Sequence, residues 1–321
     1  MKNPVLKTTR FLIEEPRYIE IDMEKIKEIA EKYSKENLIV PKWDAPVFPE
    51  ERNQETIDFF MTGNSVNFCY NNKGVKYSTN YKDYEWKGAF GMWASFKKAV
   101  ENRIPILDGK FLREITEEKV EKIFRGNSPM PMIKERTEIL REVEKVLCEK
   151  YDGHFHNLAK ESRGRLFKEG DGIVERLAED FCSFDDSAEY EGNFVVFNKR
   201  AQLAPGMLIG KFENKGLFKV KDVDELTVFA DYSLPASLRD LGILRYEKSL
   251  VDKIDKKIKI RSNSLEELEI RASTIHASKM LQDEINKKKS QKINALHIDY
   301  KLWMEQRNKN LPQHFTMTTN Y

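Results

Sequence analysis

Cysteine is scarce: the chain carries 3 in 321 residues, Cys69, Cys148 and Cys182. They are odd in number, far apart and in no CxxC pair. That excludes a disulfide scaffold and points to a reducing compartment. Charge of one sign is also missing, since 55 Lys and Arg against 53 Asp and Glu leave a net charge of +2. A dedicated duplex-DNA binder carries a clear basic excess, so stable nucleic-acid binding is not expected. No apolar run approaches the ~20 residues that span a bilayer, so no membrane partner is expected. The first residues, Met1 to Lys7, lack the apolar stretch of a signal peptide. These absences together lead to the expectation of a cytoplasmic protein. The common catalytic signatures are missing as well: there is no Walker A loop, GxGxxG, HExxH or GxSxG.

What the chain has is charge and helical periodicity. Charged residues make up 34% and hydrophobic residues 40%, the mix of a globular chain with a highly charged surface. No internal repeat or low-complexity linker divides it. Arg125-Gly126-Asn127-Ser128-Pro129 and Lys168-Glu169-Gly170-Asp171-Gly172 read as punctuation inside one body, so a single domain over 1–321 is expected. Ile26, Ile29 and Ala30 share a helix face behind the cap residue Asp22. Helices are also expected over 87–101, from Thr116 as cap, over 136–151, over 265–286 and over 293–306. Strand signals are few. Asn67 to Tyr70 and Val75 to Tyr77 flank Asn71-Asn72-Lys73-Gly74 as a hairpin, and Phe194 to Phe197 is a short apolar strand. The expected class is mainly α with a small antiparallel β element.

Four groups of residues have chemical potential. Asp231 lies between Phe229 and Tyr232, just before a helix opened by Pro235 and closed by Gly242. A carboxylate there is either an N-cap or a charge in an aromatic, partly dry pocket, where it stabilises a developing cation. Lys199-Arg200 follows an apolar strand directly. The pair is either a basic strand end on the surface or a fixed cation for a phosphate or sugar oxygen. Phe59, Phe60, Phe68, Tyr70, Trp86, Phe90 and Trp93 are mostly core candidates, with one or two available as a stacking slot for a flat heterocycle. His154 and His156 sit two apart after a helix. They read as surface or loop histidines, because no nearby cysteine completes a metal site.

Beyond these groups, the string Phe229-Ala230-Asp231-Tyr232-x-Leu234-Pro235-x-x-Leu238-x-x-Leu241-Gly242 resembles the signature of the queuosine 5′-phosphate N-glycosylase/hydrolase family, the queuosine salvage proteins. Further blocks resemble the family in the same order. They are Asn67-Phe68, Ala99 with Ile104-Pro105-Ile106, Met130-Pro131-Met132 with Glu135-Arg136 and Ile139-Leu140, and Lys199-Arg200-Ala201-Gln202. Glu269-Ile270-Arg271 and Asp299-Tyr300-x-Leu302-Trp303 follow, and Tyr321 looks like the family's terminal tyrosine. The chain departs from the family at Ala272, where Gly is frequent, and at Phe315 and Met317 near His314, where arginines are expected. It also has Ala89-Phe90 for a Tyr-Trp pair.

The resemblance implies hydrolysis of the N-glycosidic bond of queuosine 5′-monophosphate, releasing queuine. It implies a mainly helical fold similar to DNA glycosylases, and no metal or organic cofactor. On that basis Asp231 is the catalytic carboxylate. Lys199 either binds the 5′-phosphate or joins the chemistry, and Arg271 is a second phosphate ligand. Asn67, Phe68, Trp86 and Phe90 would hold the base, and Asp299 the aminomethyl-cyclopentenediol arm. Tyr232, Trp303, His314 and Tyr321 complete the implied substrate-binding set. Two other readings stay open: a non-catalytic binding protein for a modified deazapurine nucleoside, and a nucleic-acid base glycosylase.

Overall fold

The computed structural model describes residues 2–72 and 74–321. Its helices, in chain order, are α1 (Val5–Thr8), α2 (Phe11–Glu14), α3 (Met23–Ser34), α4 (Gln54–Ser65), α5 (Ala89–Glu101), α6 (Gly109–Leu112), α7 (Glu117–Ile123) and α8 (Ile133–Lys150). Then come α9 (Phe155–Glu161), α10 (Ile173–Asp180), α11 (Lys199–Phe212), α12 (Ser233–Asp240), α13 (Lys248–Asp255), α14 (Leu265–Lys288) and α15 (Ala295–Lys309). The strands are β1 (Ile19–Ile21), β2 (Asn71–Asn72), β3 (Val75–Lys76), β4 (Ser78–Tyr81), β5 (Tyr84–Lys87), β6 (Ser187–Tyr190), β7 (Asn193–Val196) and β8 (Leu244–Tyr246). They form four antiparallel pairs, β1–β8, β2–β3, β4–β5 and β6–β7. The expected class, mainly α with a small antiparallel β element, is the one observed.

Local chemistry starts several of these helices. The Asp22 carboxylate accepts the Glu24 and Lys25 N–H groups and opens α3. Thr116 accepts the Lys119 N–H and opens α7. Helices α3 and α14 pack together, and α14 also meets α2, α15 and β1. One contiguous apolar core runs from Val5 to Leu302.

Three expectations change. The segment 67–70 is not a strand, because Arg136 takes two of its carbonyls, and the residues just before it are held in the same way by Arg136 and Arg200. Arg136 donates to the carbonyls of Val66, Phe68 and Cys69, and Arg200 to those of Asn64 and Ser65. Pairing occurs instead between Asn71–Asn72 and Val75–Lys76, and Lys73 of the expected turn lies outside the described residues. The second change concerns Lys199 and Arg200, which are not an exposed strand end. They open α11, and both side chains are buried. The third is the polar break at 287–289. Lys287 and Lys288 belong to the last turn of α14, and the Lys289 ammonium caps the end of α3 through the Ser34 and Glu36 carbonyls.

Helix α11 is buried on every side except at Leu203, and Pro205 lies inside it. Two glycines let it sit close to its neighbours. A Cβ on Gly206 would come within 2.6 Å of the Phe229 ring, and one on Gly210 within 2.1 Å of the Pro41 carbonyl oxygen. This close approach brings the start of α11 and the Phe229–Tyr232 segment to the same cavity.

Candidate active site

A cavity of about 1450 Å³ opens between α5, α11, α15 and the segments around Asn67, Asp231 and His314. Asp231, Lys199 and Asp299 all line it. The Asp231 Oδ1 accepts the N–H groups of Ser233 at 2.7 Å and Leu234 at 3.4 Å. One oxygen thus caps the start of α12, and the residue lines the cavity. The second oxygen accepts no hydrogen bond from the described residues. Lys199 comes from the first turn of α11. Burial holds its ammonium below the usual lysine range, Asp231 acts against that shift, and Arg200 adds to it.

Asp299, on α15, accepts the Phe229 N–H at 2.7 Å. Loss of hydration pushes its carboxyl up to about 8. The Phe229 N–H opposes the shift, the Asp231 charge adds to it, and Lys199 opposes it. Asp299 is thus a protonated carboxylic acid near neutral pH, beside the Asp231 carboxylate. Paired carboxyl groups whose surroundings separate their proton affinities are a recurrent acid–base arrangement.

Arg271 and Phe68 lie elsewhere. Neither lines the cavity, and both are buried. Arg271 Nη1 donates to Asp186 Oδ1 at 2.8 Å, and Nη2 binds the other oxygen. Its guanidinium also rests on Phe197, 3.9 Å from the ring centre, and on Tyr321 at 4.7 Å. Asp186 Oδ2 accepts the Lys199 N–H at 3.0 Å. Arg271 is therefore committed to Asp186 and supports the start of α11. Phe68 is a core ring with the Arg136 guanidinium 4.1 Å from its centre.

The aromatic residues make a wall more than a slot. Trp86 stacks on Phe90 at 5.9 Å, Phe90 on Trp303 at 5.8 Å, and Tyr300 on Trp303 at 5.9 Å. These rings already touch one another, so they leave no gap between them for a flat heterocycle. Asn67 lines the cavity with its amide partly committed. Its Nδ2 donates to Asn64 at 2.9 Å, and its Oδ1 accepts from the Tyr70 hydroxyl at 2.5 Å. One N–H remains for a ligand.

Tyr232, His314 and Tyr321 form a second aromatic group on the cavity wall, with ring centres 4.6 to 5.9 Å apart. The Tyr232 hydroxyl donates to the Thr316 carbonyl, and His314 Nε2 is hydrogen-bonded to the Tyr321 hydroxyl at 3.2 Å. The Cys69 N–H donates to the Tyr321 carbonyl, which ties this group to the Asn67 segment. Phe315 lines the cavity, while Met317 packs against the core.

Sequence reasoning missed Lys76 and Arg307, which line the cavity along with Lys87, Lys257 and Lys259. Arg307 sits over Phe90 at 4.7 Å and Trp303 at 5.2 Å. Neither Lys76 nor Arg307 has an ion-pair partner among the described residues, and they repel one another. Arg307 was within reach of pattern reading, because Tyr300, Trp303 and Arg307 follow helical spacing. Lys76, in a short hairpin, carried no such signal.

A sequence profile described as queuosine salvage protein matches residues 47–321. A Sphaerobacter thermophilus protein named queuosine 5′-phosphate N-glycosylase/hydrolase is 33% identical, over 99% of this chain and 97% of that one. A Bos taurus protein of the same name is 28% identical, over 98% of this chain and 97% of that one. One from Dictyostelium discoideum is 30% identical, over 83% and 78%.

Proposed function

This chain belongs to the queuosine salvage protein family, and we propose that it hydrolyses the N-glycosidic bond of queuosine 5′-monophosphate to queuine and ribose 5-phosphate. The observation that carries this reading is the placement of Asp231, Lys199 and Asp299 on one cavity. All three residues lie within the stretch that matches the family.

Breaking the C1′–N bond builds positive charge on the ribose and negative charge on the leaving base. The free oxygen of Asp231 stabilises the oxocarbenium-like sugar and takes a proton from the attacking water. The water oxygen bonds to C1′ as the glycosidic bond breaks. A 7-deazapurine has carbon at position 7, so protonation there cannot assist departure. Asp299, protonated near neutral pH, supplies the proton to the departing base. The proton that Asp231 has gained then returns to Asp299 and resets the pair. Lys199 is the catalytic companion of Asp231: its side chain lines the same cavity and lies close enough to attract that carboxylate.

Lys76 and Arg307, two of the cations that line the cavity, receive the 5′-phosphate. The base lies against Trp86, Phe90 and Trp303 with the free Asn67 N–H as a donor, and Tyr232, His314 and Tyr321 close the other side. The chain acts as one domain, without a cofactor for this reaction, on a small nucleotide and not on a polymer. No helix among the described residues is long and apolar enough to cross a membrane, and the three cysteines are free. A reducing cytoplasm fits those thiols.

The test is chromatography of purified protein incubated with queuosine 5′-monophosphate, queuosine or guanosine 5′-monophosphate. Release of queuine from the first, and much less base from the others, is the expected result. Tight binding of the phosphate without turnover across pH 5 to 9 replaces this reading with a binding protein.

A further inference from the structure

Outside the cavity, three ligand-type side chains converge between α4 and α9. They are Asp58, His154 and His156, and their ligating atoms all lie within 4.8 Å of one another. None of the three lines the active-site cavity. Asp58 is buried on α4. Its Oδ1 accepts the His156 N–H at 2.8 Å, and its Oδ2 lies 2.7 Å from His156 Nδ1 and 3.4 Å from His154 Nδ1. The two imidazole rings stack, with centres 4.9 Å apart.

Two features set this group apart from an ordinary histidine–carboxylate pair. Asp58 forms no ion pair with lysine or arginine among the described residues, so its charge meets only imidazoles. Among side chains, this buried carboxylate meets the two imidazoles and no permanent cation. The second feature is His154 Nδ1, a buried atom with no hydrogen-bond partner although it points at the same carboxylate. In the tautomer that protonates Nε2, this nitrogen presents a lone pair to a cation held between the two residues.

We propose that Asp58, His154 and His156 bind a divalent transition-metal ion of the zinc class, through two imidazole nitrogens and one carboxylate oxygen, with water completing the shell. Imidazole with carboxylate is a donor set that zinc accepts, and an open position filled by water follows from three protein ligands. Ligand atoms about 2.0–2.1 Å from a tetrahedral zinc lie about 3.3–3.4 Å from each other. The Asp58–His154 separation of 3.4 Å already has that value. The Asp58–His156 separation of 2.7 Å must widen by about 0.6 Å, giving up a hydrogen bond for a metal bond. The ion would tie α9 to α4 and leave the glycosidase chemistry untouched.

The chelator-stripped full chain is titrated with Co²⁺ and then with Zn²⁺. The expected result is a single equivalent of Co²⁺ with the visible bands of a four- or five-coordinate nitrogen–oxygen site, displaced by Zn²⁺. His154→Ala is the first variant, because that side chain is 41% exposed and its loss is compatible with folding. It should weaken Zn²⁺ binding at least about tenfold while queuine release stays unchanged. His156→Asn should do the same and lower the thermal shift that Zn²⁺ produces in the parent. Unchanged affinity in His154→Ala, thiolate charge-transfer bands from a cysteine site, or no saturable uptake of either metal would each overturn the proposal.

Discussion

Arg271 grips both oxygens of Asp186, and the same carboxylate receives the Lys199 N–H at the head of α11. A guanidinium on α14 therefore sets where the Lys199 side chain leaves the backbone. Removing it in Arg271→Ala leaves a buried, unpaired carboxylate. That should cost about 3–5 kcal/mol in urea unfolding. Arg271→Lys keeps the charge but loses the planar fork. It should fold, with kcat falling while KM for the nucleotide changes little, because the residue positions a catalytic group and touches no substrate. A rise in KM alone would instead mark Arg271 as a phosphate ligand.

Asp231→Asn keeps the size of the side chain and its cap to Ser233. It removes the charge that faces the cavity. Base release should fall by about 10²–10³ or more, with thermal stability close to the parent. Retained turnover in this variant would take the catalytic role away from Asp231.

Arg307→Ala separates the phosphate from the base. Truncation removes a cation that rests on Phe90 and Trp303. KM for queuosine 5′-monophosphate should rise by roughly tenfold or more, in the range of a charged hydrogen bond. Residual activity on queuosine without phosphate should stay level. An equal loss on both substrates would mean that Arg307 serves the aromatic wall.

Asp299 gives the reaction an alkaline limit. Its carboxyl is raised to about 8, so the proton-donating form is populated below that value and lost above it. Base release should decline as pH rises through about 8. Asp299→Asn cannot deliver a proton, so it should be slower by about 10²-fold and should lose that alkaline limb. A limb that persists in the variant belongs to another group.

Legibility in the sequence followed the range of the interactions. Caps are local, so Asp22, Thr116 and Asp231 could be read from their neighbours. Helix α11 could not, because burial on all sides erases the apolar–polar alternation that marks a surface helix, and Pro205 argues against one. The 67–70 segment was misjudged for a related reason. Its β-forming residues suit a strand, but Arg136 satisfies its carbonyls from α8, far away in sequence. The role of Arg271 needed Asp186, 85 residues away, which no spacing rule connects. The Asp231 segment and the Lys199-Arg200 pair stand out from their own residue patterns, the family resemblance gives them expected roles, and only the folded chain brings Asp299 beside them.

Buried neutral histidines give the fold an acid limit of its own. Burial lowers His314 to about 3, with the Arg271 charge acting the same way, and lowers His276 to about 4, with Arg10 adding to that. An unfolded chain protonates these rings near 6.5, well before the folded chain does. The unfolded state therefore binds more protons throughout the interval from about 6.5 down to the folded values. Stability from these two groups is complete above about 6.5 and drains away as pH falls through that interval. At pH 5 the loss is roughly 2 kcal/mol for each ring. Urea unfolding at pH 7 and pH 5 measures the difference directly. His314→Gln removes one of these rings, so its stability should fall by about 2 kcal/mol less than the parent's between pH 7 and pH 5. An identical pH slope in parent and variant would show that His314 is not what makes the fold acid-sensitive.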